Sequence, residues 1–457
     1  MHLKIGKRLQ IKVIILIMLL LINGARPALA QSNDDWSTPV NISRSGAATR
    51  PVLIAGPDGI ARALWWDTLA GLTTARYDGE TWLSADFAAI QIVEEVNNNT
   101  VIREPSAMPT IFGDANGTSH AFWLDVEDDE TGLQPLVHSR LTAGAAAWST
   151  PQAIAASAIT WQMTSTADGV LHLVYVRTAH STALPAGIYY RRSTNGGQTW
   201  TPAVPLYTTI YFRLVEPEVA YLTIAAGATG GVAVTWEHPE REAAEYIVSL
   251  DGGFSWSEPA EIAISDEMVS MNARAARPHF AFLASGEMLR LWEAVPAMMS
   301  CAIYQQLSRD GGETWSPPQR VLADLSRCPE TMRIQSLPQG NLLATAQNEG
   351  GGLTLTAADV ITDSEGVKSV RWAQPKPLGF SFQDEAQETT IYLDDLNVTL
   401  TETGNVLIAG HSQDDEIWVL QGQQDALTWS FAPPSPWTGP TQVSQRDLSA
   451  GLPAITI

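Results

Sequence analysis

Ionisable residues recur in this chain at the ends of short apolar runs, where a folded backbone could gather them. Asp67, Asp125, Arg177, Glu237, Glu293 and Glu349 each close such a run, and His411 and Asp414 follow another. Arg50, Arg103, Arg277 and Arg333 stand near the start of the preceding runs. Carboxylates that share a pocket can pass protons, and arginines beside them can hold an anionic or hydroxylated ligand through forked hydrogen bonds. The plainer alternative is a solvated rim on which these charges pair with their neighbours. The choice depends on the elements that carry them.

Those elements repeat. A Trp with Ser or Thr and Pro close behind it returns at Trp36, Trp148, Trp200, Trp256 and Trp315, with weaker copies at Trp82, Trp372 and Trp437, at intervals of 46 to 66 residues. A second marker keeps the same beat: two apolar stretches around Asp58-Gly59, Asn116-Gly117, Asp168-Gly169, Gly230-Gly231, Ser285-Gly286, Gly340-Asn341 and Gly404-Asn405. Such dipeptides supply the positive φ of tight hairpin turns. Flanks such as Val170-Leu171-His172-Leu173-Val174-Tyr175 alternate like strands, and no long segment after the first thirty residues keeps a helical period. Each unit therefore reads as strand A, Gly turn, strand B, loop, strand C, tight turn, strand D. Four antiparallel strands returning seven times predict an all-β fold, a β-propeller. A β-sandwich would not explain that regular return.

Three of the C–D turns are nearly the same: Ser193-Thr194-Asn195-Gly196-Gly197-Gln198-Thr199-Trp200, Ser249-Leu250-Asp251-Gly252-Gly253-Phe254-Ser255-Trp256 and Ser308-Arg309-Asp310-Gly311-Gly312-Glu313-Thr314-Trp315. Asp78-Gly79-Glu80-Thr81-Trp82 is a shortened copy. The short side chains of Asn195, Asp251 and Asp310 can accept hydrogen bonds from their own turns. Gly197, Gly253 and Gly312 permit a left-handed residue, and Trp200, Trp256 and Trp315 can lay a large apolar face on the strands. These turns are expected to be structural.

The motif resembles the Asp-box, or BNR repeat, of the sialidase superfamily, and the repeat pattern spans residues 36–457. The resemblance implies a propeller with the boxes on the rim, opposite the catalytic centre; family rings usually have six blades, which stands as the alternative count. It also implies an arginine triad, an Asp acid/base and a Tyr–Glu nucleophile pair. Met332-Arg333-Ile334-Gln335 is the nearest match to the family's aromatic-Arg-Ile-Pro motif, but it lacks the aromatic and the Pro and falls in the sixth unit. Arg50-Pro51 and Arg277-Pro278 place Arg next to Pro in another register, and no Tyr–Glu pair can be matched, although Tyr211 and Tyr392 are conceivable nucleophiles.

Composition narrows the rest. The 457 residues hold 27 Lys plus Arg against 49 Asp plus Glu, a net charge of −22, with 17% charged and 45% hydrophobic residues. That is a folding chain, and its acidity excludes nucleic acid and anionic membrane surfaces as partners. Lys4, Lys7, Arg8 and Lys12 precede an apolar run over residues 13–22, then Ala28-Leu29-Ala30. This pattern predicts a secretory signal peptide over residues 1–30, cleaved after Ala30; a start-anchor is the alternative, but the run is short of the ~20 residues a span needs. Cleavage takes the charge from −22 to −27. Cys301 and Cys328 are the only cysteines. Placed on paired strands C and D with a box between them, they predict a disulfide closing a loop worth ~3 kcal/mol; two free thiols are the alternative. Neither a metal nor a cofactor is expected.

The expectation is a secreted, monomeric propeller over residues 31–457 that recognises or processes a glycan or other extracellular polymer. If it catalyses, the resemblance implies a divergent exo-sialidase or other glycoside hydrolase, with Arg333, Arg277, Glu237, Glu293 and Asp67 as catalytic candidates and Arg50, Arg103, Asp125 and Arg177 binding substrate. A non-catalytic binding propeller and a structural module of a longer surface protein remain open alternatives. The longer B–C and D–A connections, such as 86–105, 207–217 and 380–394, put the site on their face. Residues 437–457 repeat the pattern of 36–54, so the ring closes by overlapping its ends or the array continues.

Overall fold

The computed structural model describes residues 36–423 except 57–59, 87–89, 97–98, 128–131, 266–267, 269–272, 296–301, 323–324, 326–327, 337–340, 348–351, 365, 385–388 and 402–404. The expected signal segment, Asp58-Gly59, Cys301, Gly340, Glu349, Gly404 and Trp437 lie outside the described residues.

The chain is a seven-bladed β-propeller. Seven antiparallel sheets follow one another over residues 48–86, 110–155, 160–208, 222–261, 274–321, 331–378 and 389–423. Each runs A to D outward from the channel, and strands A of successive blades face one another around the ring. Closure comes from the N-terminus: Val40–Asn41 pairs antiparallel with Ile417–Gln423 and completes blade 7 from outside. Glu416 clamps this strand by accepting hydrogen bonds from the amides of Ser45 (3.1 Å) and Gly46 (2.9 Å) and from the Ser43 hydroxyl. Trp36 thus belongs to the seventh blade, not to the first unit after it. A two-stranded hairpin, Ile92–Val96 with Asn99–Arg103, fills the connection between blades 1 and 2.

Alternation decides the packing. Successive strand residues point to opposite sheet faces, so each blade gives one apolar face to its predecessor and one to its successor. Seven apolar clusters result, one per blade boundary. Trp65, Trp236 and Trp292, all on strands B, are fully buried in them. Each hides an area on the order of 200 Å², so truncation would cost several kcal/mol.

The box turns fix the outer corners. The Ser249 hydroxyl donates to Asp251 Oδ1 at 2.7 Å and accepts from the Gly253 amide at 2.8 Å, while Asp251 accepts from the amides of Phe254 and Ser255. Ser193–Asn195 and Ser308–Asp310 repeat the arrangement. The box indoles reach back to the preceding blade: Trp256 meets Tyr190 at 4.9 Å between ring centroids, Trp200 meets His138 at 5.6 Å, and Trp315 Nε1 donates to the Tyr246 hydroxyl at 3.0 Å.

Gly253 is forced by this contact. Its φ is +87°, and a Cβ there would lie 2.1 Å from the Tyr190 hydroxyl oxygen. Tyr190 cannot retreat without losing its 2.7 Å hydrogen bond to His172. Gly253→Ala is therefore expected to lower unfolding free energy by roughly 2–5 kcal/mol, from backbone strain plus overpacking. Gly252→Ala, with positive φ but open space, should cost only about 1–2 kcal/mol. Urea midpoints of the two variants check the difference.

The cysteine geometry differs from expectation. Strand D of blade 5 is Gln319–Val321 and pairs Val321 with Ile303, so Cys328 lies past its end, in the connection to blade 6. Cys328 is disulfide-bonded.

Candidate functional site

The site is built on a bulge in strand A of blade 5, Arg274–Phe282. Ala276 pairs with Glu293 and His279 with Leu291, so Arg277 and Pro278 together oppose Trp292. Arg277 takes φ 45°, a conformation that costs a residue other than Gly about 1–2 kcal/mol. Glu237, at the end of strand B of blade 4, holds it there by accepting the Arg277 amide at 2.9 Å. Blade 1 has the same bulge at Arg50-Pro51 (φ 54° at Arg50), and blade 7 has it at Asp395-Leu396 (φ 47° at Asp395). In blade 7 the residue opposite is Gly410, where a Cβ would come within 2.7 Å of Leu396. Bulges re-aim side chains, and strained residues cluster where that aim matters.

The bulge gathers a set of ionisable groups. The Arg277 guanidinium donates to the Pro329 carbonyl at 2.8 Å and lies 3.8 Å from the Glu293 carboxylate. Glu293 is only 3% exposed. Burial pushes its pKa up to about 7; Arg277 pulls it down and Glu237 pushes it up. Behind them the Tyr221 hydroxyl meets His279 Nε2 at 3.0 Å and the Pro278 carbonyl at 3.2 Å. Burial, aided by the charges of Glu293 and Glu237, raises the Tyr221 pKa well above its ordinary value. Burial and Arg277 push His279 down to about 4. At neutral pH the phenol is protonated and the imidazole neutral. The Pro278 carbonyl also accepts from Thr235 at 2.8 Å, which locks the bulge from blade 4.

Arg333 lies on the next inner strand, Thr331–Ser336. It sits deep in the molecule, where loss of hydration lowers its pKa, yet its surface is open. Both hold for a side chain lining the channel, and no hydrogen-bond or ion-pair partner contacts it among the described residues. Arg274 bridges Glu237 and Glu242 with N···O distances of 3.5 Å each.

Glu237, Arg277 and Glu293 therefore meet in one cluster, with Arg333 on the adjoining inner strand. The other candidates are placed elsewhere. Asp67, in blade 1, turns onto its own loop, where Oδ1 accepts the amides of Leu69 (2.8 Å) and Ala70 (2.9 Å). Arg103 and Asp125 pair with each other at 2.6 Å. Arg177 is buried at the end of strand B of blade 3, and Arg50 is exposed on blade 1. His411 bridges Asp394 (3.0 Å) and Asp415 (3.1 Å) in blade 7. Tyr221 and His279 were not singled out in the sequence; the one signal was the Arg-Pro dipeptide shared by Arg50-Pro51 and Arg277-Pro278. Among the described residues no group of three His, Cys, Asp or Glu side chains is arranged to hold a metal ion.

No family model matches the chain, and no curated protein matches it. Solved structures do. A polysaccharide lyase, the PL25 ulvan lyase bound to -[GlcA(1-4)Rha3S]-, aligns with 13% identity and a TM-score of 0.49 over 85% of this chain and 96% of its own. The intramolecular trans-sialidase of Ruminococcus gnavus aligns with 14% identity and a TM-score of 0.38, covering 83% and 95%. The Penicillium chrysogenum alpha-L-arabinanase aligns with 13% identity and a TM-score of 0.39, covering 83% and 99%.

Proposed function

We propose that this protein is a secreted enzyme that cleaves an anionic glycan at the junction of blades 4 and 5. The observation that carries the reading is Glu293, a carboxyl buried beside Arg277 with its pKa pushed up to about 7. A carboxylic acid that still holds its proton near neutral pH is suited to protonate a leaving glycosidic oxygen. Glu237 supplies a second carboxylate, and Arg277 with Arg333 provides the positive charge to seat an anionic group. Tyr221, with its proton held tightly, serves as a hydrogen-bond donor rather than a nucleophile. The basic, then apolar, first thirty residues support export.

Reducing-end release and fluorogenic assays on sialosides, glucuronides, uronate polymers and sulfated polysaccharides test this. Turnover is expected on at least one class, falling at least 100-fold in Arg277→Ala and markedly in Arg333→Ala. Silence across the panel would remove the enzymatic reading. A binding propeller is the second reading, favoured by the commitment of Glu237 to the Arg277 backbone; it predicts glycan retention without cleavage.

A further inference from the structure

A cavity of about 240 Å³ adjoins this cluster, and two of its walls, Tyr221 and Glu237, belong to the cluster itself. The rest of it is built by the 3₁₀ turn Ile210–Leu214, the chain that follows it, and His238, Pro239 and Glu242 beyond strand B of blade 4. The interior is apolar: Val176, Phe212, Val215 and Ala220 line it, with Phe212 buried. Its lip is apolar too, and bare. Leu214 is 81% exposed and Val219 73%. Exposed apolar side chains grouped at a cavity mouth mark a contact surface.

The polar groups are few and of one kind. His238 has both nitrogens taken, by the Tyr207 hydroxyl at 3.0 Å and by the amides of Glu240 and Arg241 at 3.2 and 3.1 Å, so it offers only its ring. Glu242 is largely exposed and meets Arg274 only at 3.5 Å, which leaves its carboxylate room for donors, whereas Glu237 already accepts from the Arg277 amide at 2.9 Å and from Arg274 at 3.5 Å. No Lys or Arg is among the lining residues. Tyr211 stands half-exposed with its ring 6.4 Å from that of His238.

These features sort ligands by charge. Two carboxylates with no Lys or Arg among the lining residues disfavour an anion, and Arg274 already occupies the position an ammonium group would take. A purely apolar ligand would leave the spare acceptor capacity of Glu242 without a donor. What fits is a ring with hydroxyls on its edge and C–H groups on its faces: the hydroxyls donate to the carboxylates, and a C–H face lies on Tyr211 and the apolar walls. The volume is below the ~300–1,000 Å³ of pockets that enclose drug-sized molecules, which leaves room for one ring.

We infer that this cavity is a subsite for one uncharged sugar ring, so that the glycan joins a neutral residue here to an anionic one held by Arg277 and Arg333. The subsite rests on the proposed reaction centre for its place in catalysis, but its binding is testable alone. Purified full-length protein is titrated with the methyl glycosides of glucose, galactose, mannose, xylose and fucose and with sodium glucuronate, followed by saturation-transfer NMR and calorimetry. At least one neutral glycoside should bind in the millimolar range. Tyr211→Ala and Leu214→Asp, both at exposed positions, should weaken it at least tenfold with the melting temperature unchanged, and Glu293→Gln should leave it intact. Glucuronate should not displace it. Absence of neutral-sugar binding, equal binding in the Tyr211 and Leu214 variants, or displacement by glucuronate overturns the subsite. Loss of turnover in Glu293→Gln without neutral-sugar binding would sink the subsite alone; the reverse pattern would sink the reaction centre alone.

Discussion

Glu293→Gln is expected to reduce turnover by 10²–10⁴-fold, the usual worth of a positioned proton donor, while leaving the fold as stable as before or more so. The two halves of that expectation come from one fact. Gln keeps the shape and hydrogen-bonding capacity of the carboxyl but has no proton to give. It also has no charge to bury, and removing an incompletely compensated buried charge relieves the native state. A merely structural Glu293 would show the opposite pattern, a loss of stability that drags activity with it. The pH dependence separates the cases further. As a proton donor with a pKa near 7, Glu293 should give a kcat/KM that falls about tenfold per unit above that pH. The folded-state pKa is raised, so the folded protein binds more protons than the unfolded chain between the ordinary carboxylate range and 7. The contribution of Glu293 to stability is thus full at low pH and lost as pH rises through 7. Wild type and Glu293→Gln should match in denaturation at pH 5, and the variant should be the more stable at pH 8.5. Equal activity in the two proteins at pH 6 would remove Glu293 from the mechanism.

The ring was legible because each blade repeats the same packing problem. An indole after the C–D turn and a Gly in the A–B turn recur wherever four strands must close against a neighbour, and the repeat carries that rhythm into the sequence. The ends of strands B and the starts of strands A were legible for the same reason, so Glu237, Glu293, Arg277 and Arg333 could be named. What decides the cluster was not. An inserted residue in strand A, invisible in a short apolar run, flips the alternation after Ala276, and the Arg277 guanidinium comes within 3.8 Å of Glu293. Tyr221 reaches His279 across a blade boundary, 58 positions along the chain, and local patterning carries no trace of such a contact. Asp67 shows the converse: an acid at the expected place, one of whose carboxylate oxygens is drawn onto two amides of its own turn. Ring closure was hidden because Trp36 looks like the opening of a unit, whereas the strand after it completes the last one.

Acid should destabilise this protein before its carboxylates titrate, because the buried His138, His172 and His279 are held neutral. His172 is 1% exposed and donates to or accepts from the Tyr190 hydroxyl at 2.7 Å. Burial, with Arg192 nearby, pushes its pKa down to about 4. His138, stacked on Phe122 at 4.6 Å and 3.0 Å from His120 Nδ1, is driven far lower by burial and by the charges of His120 and Arg140. His238 and His279 are lowered as well. In each case the unfolded chain takes up a proton that the folded one refuses. Stability is then full above about 6.5 and declines as pH falls toward the depressed folded-state values. His172 and His279, each displaced to about 4, contribute on the order of 3 kcal/mol apiece across that window, and together they outweigh the single opposing carboxyl of Glu293. Against a total of about 5–15 kcal/mol, the net loss is a sizeable fraction, so stability should fall steadily from about pH 6.5 toward 4.5. His172→Phe provides the internal control. It strands the Tyr190 hydroxyl, costing about 1–3 kcal/mol at pH 7.5, yet it removes one titrating group, so its stability should fall less steeply with acid and approach or cross that of the wild type near pH 4.5. Urea denaturation from pH 7.5 to 4.5 reads both slopes; parallel lines would show that His172 is protonated in the folded protein and that the buried-histidine account is wrong.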